Sequence, residues 1–424
     1  MIAGWVAAAG LAIPLSRQVP SRIGWGVLFA LAITLRIAVA TCFAGRTPAG
    51  DALAYIEIAH GMLQGEGIRF HDPFIGSTLR ALYPPLYPIV LAGWTSLWGP
   101  TVQSLLGLNT LIDGATAYLL YRLGAKFGRA GSGRAAAWAY ILWPSVLLSA
   151  PLAQKEGLCT LLILSLALAW CRAIEPDRGS RWHIPAVIGL LTGLLALTQP
   201  GEAPLGLLFG LVLIPVASLR RVMAAGLRAL PFAALVMLPW WVRNALVLGA
   251  FVPLTSAGQV SLWIGNNPDS TGNWEPTPPE LRGLPELQYA RAAGGLAMAW
   301  IAVHPGDFLR LTATKFVRAL GVSQFGVQRL SFETPPPGRL LTGLLFPLAQ
   351  ASHLFLLAAS AAALSFQRWR IGRTPALLLL GCFLQLTLFG VWFEFGERHR
   401  EFLTPILLLA IAMGFLKERR ERPE

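Results

Sequence analysis

The amino-acid sequence predicts an all-α, polytopic membrane fold, and three observations carry that prediction. Of 424 residues, 55% are hydrophobic and only 13% are charged, against about 25% charged in a soluble domain. The apolar residues gather into runs close to the roughly 20 residues that a helix needs to cross the hydrocarbon core. Such runs are too continuous for the alternating strands of a membrane barrel. Lys and Arg fall mostly in short loops between the runs, so the net charge of +13 follows the positive-inside rule. That distribution argues against nucleic acid as a partner. Anionic lipid suits the tail Lys417-Glu418-Arg419-Arg420 better.

Loop charges set the order of spans. Residues 2–15 are apolar but interrupted by Pro14, and read as an interfacial segment. The first span covers 22–44, and a polar outer loop follows over 45–83. The stretch 84–121 makes one net crossing, its part before Pro100 forming a short interfacial helix. Further spans follow at 135–150, 157–171, 184–198, 204–219 and 229–248. An outer segment at 249–339, rich in turn formers, is expected to be small and mixed in structure, with interfacial helices over 286–303 and after His304-Pro305. Spans at 340–366, 375–395 and 402–416 close the chain. The total is about ten spans with both termini cytoplasmic. Three regions result: a catalytic membrane module (1–248), an outer segment (249–339) and a C-terminal membrane module (340–424). The four cysteines lie in or beside apolar runs without paired spacing and read as small apolar residues.

Candidate site residues cluster on the turns assigned to the outer face. Asp51 opens Asp-Ala-Leu-Ala-Tyr, and in a helix it shares a face with Tyr55. It reads either as an acid at a helix N-terminus or as a carboxylate at the membrane lip that acts on a lipid-anchored substrate. Downstream lies Tyr83-Pro84-Pro85-Leu86-Tyr87-Pro88. Lys155-Glu156 occupies a turn of a few residues, where a polar residue is wanted in any case; Glu156 is also a candidate second acid, and Lys155 a phosphate ligand or a helix cap. Glu397-Arg398-His399-Arg400-Glu401 places positive charge on an outer turn, against the topological bias. Phosphate binding by Arg398 and Arg400 competes there with a solvated, internally paired turn. Arg243 either snorkels to headgroups or clamps a phosphate, and Arg80 and Lys315 are of the same kind. Asp72, before Pro73, reads as a turn former. Within the spans, Arg36, Asn109 and Asp113 are functional candidates or helix-to-helix ties.

Taken in order, these pieces resemble a known family. Asp51-x-x-x-Tyr55, the Tyr83–Pro88 run, the Glu156 turn, Pro239-Trp240-Trp241-Val242-Arg243-Asn244, Gly265-Asn266-Asn267-Pro268 and Arg398-His399-Arg400 before Pro405 extend across most of the chain. Their order and their placement on alternate outer turns are similar to the GT-C superfamily of integral-membrane glycosyltransferases. Within it they are similar to the family 39-type bacterial members, related to protein mannosyltransferases and to aminoarabinose and Rgt-type lipopolysaccharide transferases. The resemblance implies transfer of a sugar from a polyprenyl-phosphate donor, with inversion, to a lipid, glycan or protein acceptor at the outer face of a bacterial inner membrane. It implies Asp51 as general base and Glu156 as second acid. Arg243, Arg398 and Arg400 would lie near the lipid phosphate with Lys155, and Tyr55, Tyr83 and His399 would position the substrates. A divalent cation (Mg or Mn), if one is used, would fall to Asp51 and Glu156. Gln199 departs from the pattern, because many relatives carry Arg there. The competing function is a flippase or transporter of a lipid-linked sugar, which should show polar residues or broken helices along a midplane path.

Overall fold

The computed structural model describes residues 21–175 and 182–416. The expectations for residues 1–15 and for the basic tail after Leu416 lie outside the described residues.

Helix α1 (Ser21–Phe43) is the first expected span. The outer loop after it carries helix α2 (Asp51–Leu63) and an antiparallel hairpin of β1 (Phe70–Asp72) and β2 (Ser77–Leu79), with Phe70 opposite Leu79. Asp72 makes the turn, its Oδ1 accepting from the N–H groups of Phe74 and Ile75 at 2.8 and 3.0 Å. Helix α3 (Leu86–Trp98) has only 13 residues and ends at Gly99, which gives a length of about 20 Å. It is the expected short helix, and α4 (Val102–Lys126) follows it. Thr101 caps α4 by accepting from Ser104 N at 3.1 Å.

The expected span at 135–150 is two pieces, α5 (Ala130–Ile141) and α6 (Pro144–Ser149). Pro144 lacks a backbone donor and holds Trp143 in an extended conformation (ψ 135°), so the helix breaks although the apolar run continues. Helix α7 (Glu156–Ala173) matches its expected span, and α8 (His183–Ala196), of 14 residues, covers the residues of the next. The next pair differs. Helix α9 (Leu205–Val212) has eight residues and passes into a 3₁₀ turn at Ile214–Val216, whereas α10 (Leu219–Leu248) runs for thirty and absorbs the basic residues expected to form a loop.

The outer segment contains α11 (Ala257–Gly265), α12 (Glu286–Val303), α13 (Pro305–Gly321) and α14 (Phe325–Phe332). Among the described residues the hairpin strands belong to the first outer loop, and an isolated bridge joins Thr47 of that loop to Thr334 of the outer segment. Helices α15 (Arg339–Phe366), α16 (Arg368–Ile371), α17 (Arg373–Gln385) and α18 (Leu403–Phe415) complete the described chain.

Among the described residues, four stretches are long and apolar enough to cross a bilayer: Glu156–Ala173, Leu219–Leu248, Arg339–Phe366 and Arg373–Gly390. Shorter apolar helices, such as Val27–Phe43 and Leu403–Phe415, accompany them. On α10, Leu227, Leu230, Leu235 and Leu246 are each more than half exposed. A long helix that turns leucines outward is at home in hydrocarbon, and the chain is a multi-pass membrane protein.

Close helix contact rests on small residues. Gly189 of α8 meets α10 so tightly that a Cβ there would sit 2.1 Å from Ala229 O. Gly189→Ala is expected to destabilise the bundle by about 1–3 kcal/mol through overpacking, read as a lower unfolding temperature in detergent. An unchanged temperature would mean that the two helices can slide apart at little cost. Between α1 and α4, Arg36 Nη2 donates to Asp113 Oδ2 at 2.9 Å, and Tyr140 Oη donates to Asp113 Oδ1 at 3.1 Å. Asn109 Nδ2 donates to Ala150 O and Leu152 O, both at 2.8 Å. The helix-tying alternative therefore describes these intramembrane polar groups.

Candidate active site

Gly50, at φ 60°, turns the chain into α2 and leaves Asp51 in its first turn. The left-handed region admits glycine readily, and the bare Cα makes room for a neighbour: a Cβ on Gly50 would lie 2.9 Å from Arg329 Nη1. Asp51 is a hub. Its Oδ2 forms an ion pair with Arg398, which arrives 347 residues later on the turn before α18, and a second at 3.6 Å with Arg329 of α14. Arg398 also reaches Glu394 at 3.7 Å. All these side chains keep some exposure, between 15% and 24%, so the cluster is partly open to the surface.

Electrostatics follow from this geometry. Burial pushes the Asp51 carboxyl up, but the charges of Arg398, Arg329 and Lys155 outweigh it and hold the group well below the usual carboxylate range. Arg398 is disfavoured by burial yet held above its ordinary value by Asp51, Glu394 and Glu156. Glu156 thus shares the field of the same arginine, and its buried Oε2 has no hydrogen-bond partner among the described residues. His399 stacks on Phe395 at 5.9 Å, and its Nδ1 lies 3.3 Å from Gln199 Nε2. Burial first, then Arg398 and Lys155, push its pKa well down, so it is a neutral imidazole. Gln199, the departure from the family pattern, thus touches the site through His399. Tyr55, buried beneath Asp51, packs edge-to-face on Tyr83 and Tyr87 at 5.5 and 5.0 Å.

The structure therefore brings together Asp51, Arg398, Lys155, Glu156, His399, Tyr55 and Tyr83. It leaves two expected residues elsewhere. Arg400 is 2% exposed, and its guanidinium is taken up by Ala319 O, Val322 O and, at 3.2 Å, His353 Nδ1. Arg243 lies over the Trp240 ring at 5.0 Å and donates to Arg80 O at 2.6 Å and Ile68 O at 2.7 Å. Both cations are satisfied by backbone carbonyls away from Asp51 and tie outer loops to helices. Arg329 and Glu394 escaped the sequence reading. Arg329 carried the signal that marked Arg398, a basic residue on an outer segment. Glu286 was also missed: it accepts from Arg80 N at 2.6 Å, Ala81 N at 2.8 Å and Ser256 Oγ at 2.6 Å, and so fastens the first outer loop to α12.

No cluster of three or more His, Cys, Asp or Glu side chains able to hold a metal ion occurs among the described residues. Asp51 is covered by two guanidinium groups, so a dication would have to displace positive charge to reach it. A resident divalent cation does not fit this donor set. Arg398, Arg329 and Lys155 gather about Asp51, with Glu394 and Glu156 close by, and the arginine forks can also take an anionic ligand.

Glu397 gives the site a measurable pH signature. Its Oε2 accepts from Gln324 N at 2.6 Å, while Oε1 has no partner, and burial pushes its pKa up to about 7. Between the unfolded value and about 7, the folded chain holds a proton that the unfolded chain releases. Stability therefore falls as pH rises from about 5 to about 7 and then levels off. Asp51 acts in the opposite sense, but below about pH 4. Glu397→Gln keeps the acceptor for Gln324 and should make the slope of unfolding temperature between pH 5 and 7 shallower, Glu333, also raised to about 7, supplying the remainder; a slope unchanged by the substitution would assign the titration to other groups.

No protein-family model matches the chain, and no curated protein matches it in sequence. Solved structures do. The chain is similar to the archaeal oligosaccharyltransferase AglB from Archaeoglobus fulgidus, solved with an inhibitory peptide and a dolichol-phosphate (TM-score 0.51, 13% identity, covering 91% of this chain and 50% of that one). The apo form of the Archaeoglobus fulgidus oligosaccharyltransferase gives the same score at 14% identity, covering 90% and 50%. ArnT from Cupriavidus metallidurans, bound to undecaprenyl phosphate, is found at TM-score 0.45 and 14% identity, over 92% of this chain and 78% of that one. The likeness is one of fold, shared with the Archaeoglobus fulgidus oligosaccharyltransferase. The chain spans about half the length of the oligosaccharyltransferase it matches.

Proposed function

We propose that this protein transfers a sugar from a polyprenyl-phosphate donor to a hydroxyl-bearing lipid, glycan or protein acceptor at the outer face of a bacterial inner membrane, with inversion and with Asp51 as general base. The observation that carries the reading is the Asp51–Arg398–Arg329 cluster. The oligosaccharyltransferase that shares the fold was solved with a dolichol-phosphate, which supports a lipid phosphate as the group that enters the site.

In the free enzyme the arginines hold Asp51 ionised but make it a weak base. An incoming lipid phosphate competes for Arg398 and Arg329. As they turn to the phosphate, the carboxylate loses its compensating charge and its basicity rises toward the ordinary value, which improves proton transfer. The acceptor oxygen attacks the anomeric carbon, its proton passes to Asp51, and the bond to the phosphate oxygen breaks. The arginines and Lys155 stabilise the charge that develops on the leaving phosphate. Glu156 orients the acceptor beside Arg398, and Tyr55, Tyr83 and neutral His399 shape the site. The residues' own charges supply the electrostatics, and no step uses a cation.

Incubation of the purified protein with a panel of polyprenyl-phosphate sugars and candidate acceptors, with products read by mass spectrometry, tests the reading. The expected result is a glycosylated acceptor together with free polyprenyl phosphate for at least one donor. Donors left intact across the panel would count against it.

A further inference from the structure

The turn that carries Arg398 is fastened at both ends to one helix of the outer segment. At its start, Lys315 of α13 donates from Nζ to Phe393 O at 3.0 Å, to Asn266 Oδ1 at 3.1 Å and to Gly265 O at 3.3 Å. Lys315 is fully buried, and its three donors meet three neutral oxygens. Burial, reinforced by Arg318, pulls the ammonium down to about 8. Asn266, also fully buried, passes the tie on: its Nδ2 donates to Leu262 O at 2.8 Å and Trp392 O at 2.7 Å. Two backbone bonds flank the knot, Glu394 N to Ser261 O at 2.8 Å and Phe395 N to Gly272 O at 3.1 Å. Gly272 is pressed so closely on Lys315 that a Cβ there would sit 2.3 Å from Lys315 Cγ. At the far end of the turn, Arg400 donates to Ala319 O and Val322 O, at the C-terminus of the same helix, where a cation is favoured.

We propose that Lys315, with Asn266, is a positioning residue that fixes the 393–400 turn so that Arg398 is presented beside the Asp51 carboxylate. Taking an ammonium out of water costs free energy that a neutral contact would avoid. What a lysine supplies in return is reach and three tetrahedrally spread donors, which suits a point where three chain segments meet. The inference rests on the transferase reading for its catalytic consequence, but not for its geometry. It also accounts for the Gly265-Asn266-Asn267 motif: Gly265 lets Phe393 and Glu394 approach, since a Cβ there would lie 2.4 Å from Phe393 C, and Asn266 bonds across the gap. Lys315 is spent on this knot rather than on a phosphate.

The test uses Lys315→Met, similar in size without donors, and Asn266→Ala as a milder second variant. With donor and acceptor in proteoliposomes, Lys315→Met should lower kcat at least tenfold per folded molecule. It should also move the acid limb of the pH profile upward, because Asp51 would lose part of the field of Arg398 while still facing Arg329, Lys155, Glu156 and Glu394. A merely structural role would lower the unfolding temperature and leave both readouts alone, which would overturn the proposal. A cycle of Lys315→Met and Asp51→Asn, read on unfolding temperature, needs no transfer at all. Non-additive shifts are expected, since Asp51 matters less once Arg398 is loose; additive shifts would overturn the proposal even if the transferase reading stands. Should Lys315→Met not fold, Asn266→Ala is read in the same way.

Discussion

Asp51→Asn is expected to lower sugar transfer at least a hundredfold, the scale of losing a positioned general base, while the protein remains folded in the membrane. An amide keeps the shape and can still accept a hydrogen bond, but it cannot take the acceptor's proton. It also leaves Arg398 and Arg329 without their shared counter-charge. The variant should therefore bind an anionic lipid phosphate more tightly than the wild type, since the arginines no longer need to be drawn off a carboxylate. Asp51→Glu should restore part of the rate and Asp51→Ala none. Rates come from initial velocities in proteoliposomes and binding from titration with polyprenyl phosphate. Near-normal turnover by Asp51→Asn would remove the base from the mechanism, and tighter binding with lost turnover is the paired outcome expected.

The largest effect on stability is expected at Arg36. Arg36 is 2% exposed and pairs with Asp113 at 2.9 Å inside the bundle. Arg36→Met removes the cation and leaves a buried carboxylate with only Tyr140 to answer it, which costs about 3–5 kcal/mol. Replacing both partners, Arg36→Met with Asp113→Asn, removes the uncompensated charge and should recover most of that loss. Unfolding in detergent reads both variants. If the single variant is as stable as the wild type, the pair contributes nothing to holding α1 against α4. If the double variant is no better than the single one, the loss comes from packing of the arginine stem rather than from charge.

Much of the architecture is legible in the sequence because its punctuation is physical. Helix α12 runs over the expected residues, since Pro285 before it and His304-Pro305 after it bracket the apolar period. The short helix before Pro100 follows from loop charge alone. The break at Pro144 was not legible from hydropathy, which reports where the chain is apolar and not where it changes direction. The hairpin was missed because its strands have three residues each, too few to show an alternation. In the site, the order of the motifs and the unusual outer positive charge brought Asp51 and Arg398 onto one list. Sequence could not say which of several outer arginines would reach the carboxylate. Arg243 and Arg400 have the same residue type and similar placement as Arg398, but they reach the carbonyls of Ile68, Arg80, Ala319 and Val322, beside side-chain contacts to Asn244, His353 and Glu401. Any residue type presents a carbonyl, so no residue pattern marks such a partner. Lys315 was open to a phosphate role for the same reason, and only the fold shows its donors turned to Gly265, Asn266 and Phe393.

The competing flippase reading predicts a polar path through the bundle. Arg36, Asn109, Asp113 and Gln385 were the residues that hinted at one; the first three are engaged with each other and with backbone carbonyls, and Gln385 Nε2 donates to Gly201 O at 2.6 Å. The most direct measurement separates cleavage from movement. A donor labelled differently on its sugar and its lipid is presented to the protein in proteoliposomes with an acceptor. The account predicts that the two labels part in equal amounts, the sugar on the acceptor and the lipid as free phosphate, and that they stay joined with Asp51→Asn. Intact, doubly labelled donor appearing in the opposite leaflet with no separation of the labels would contradict it.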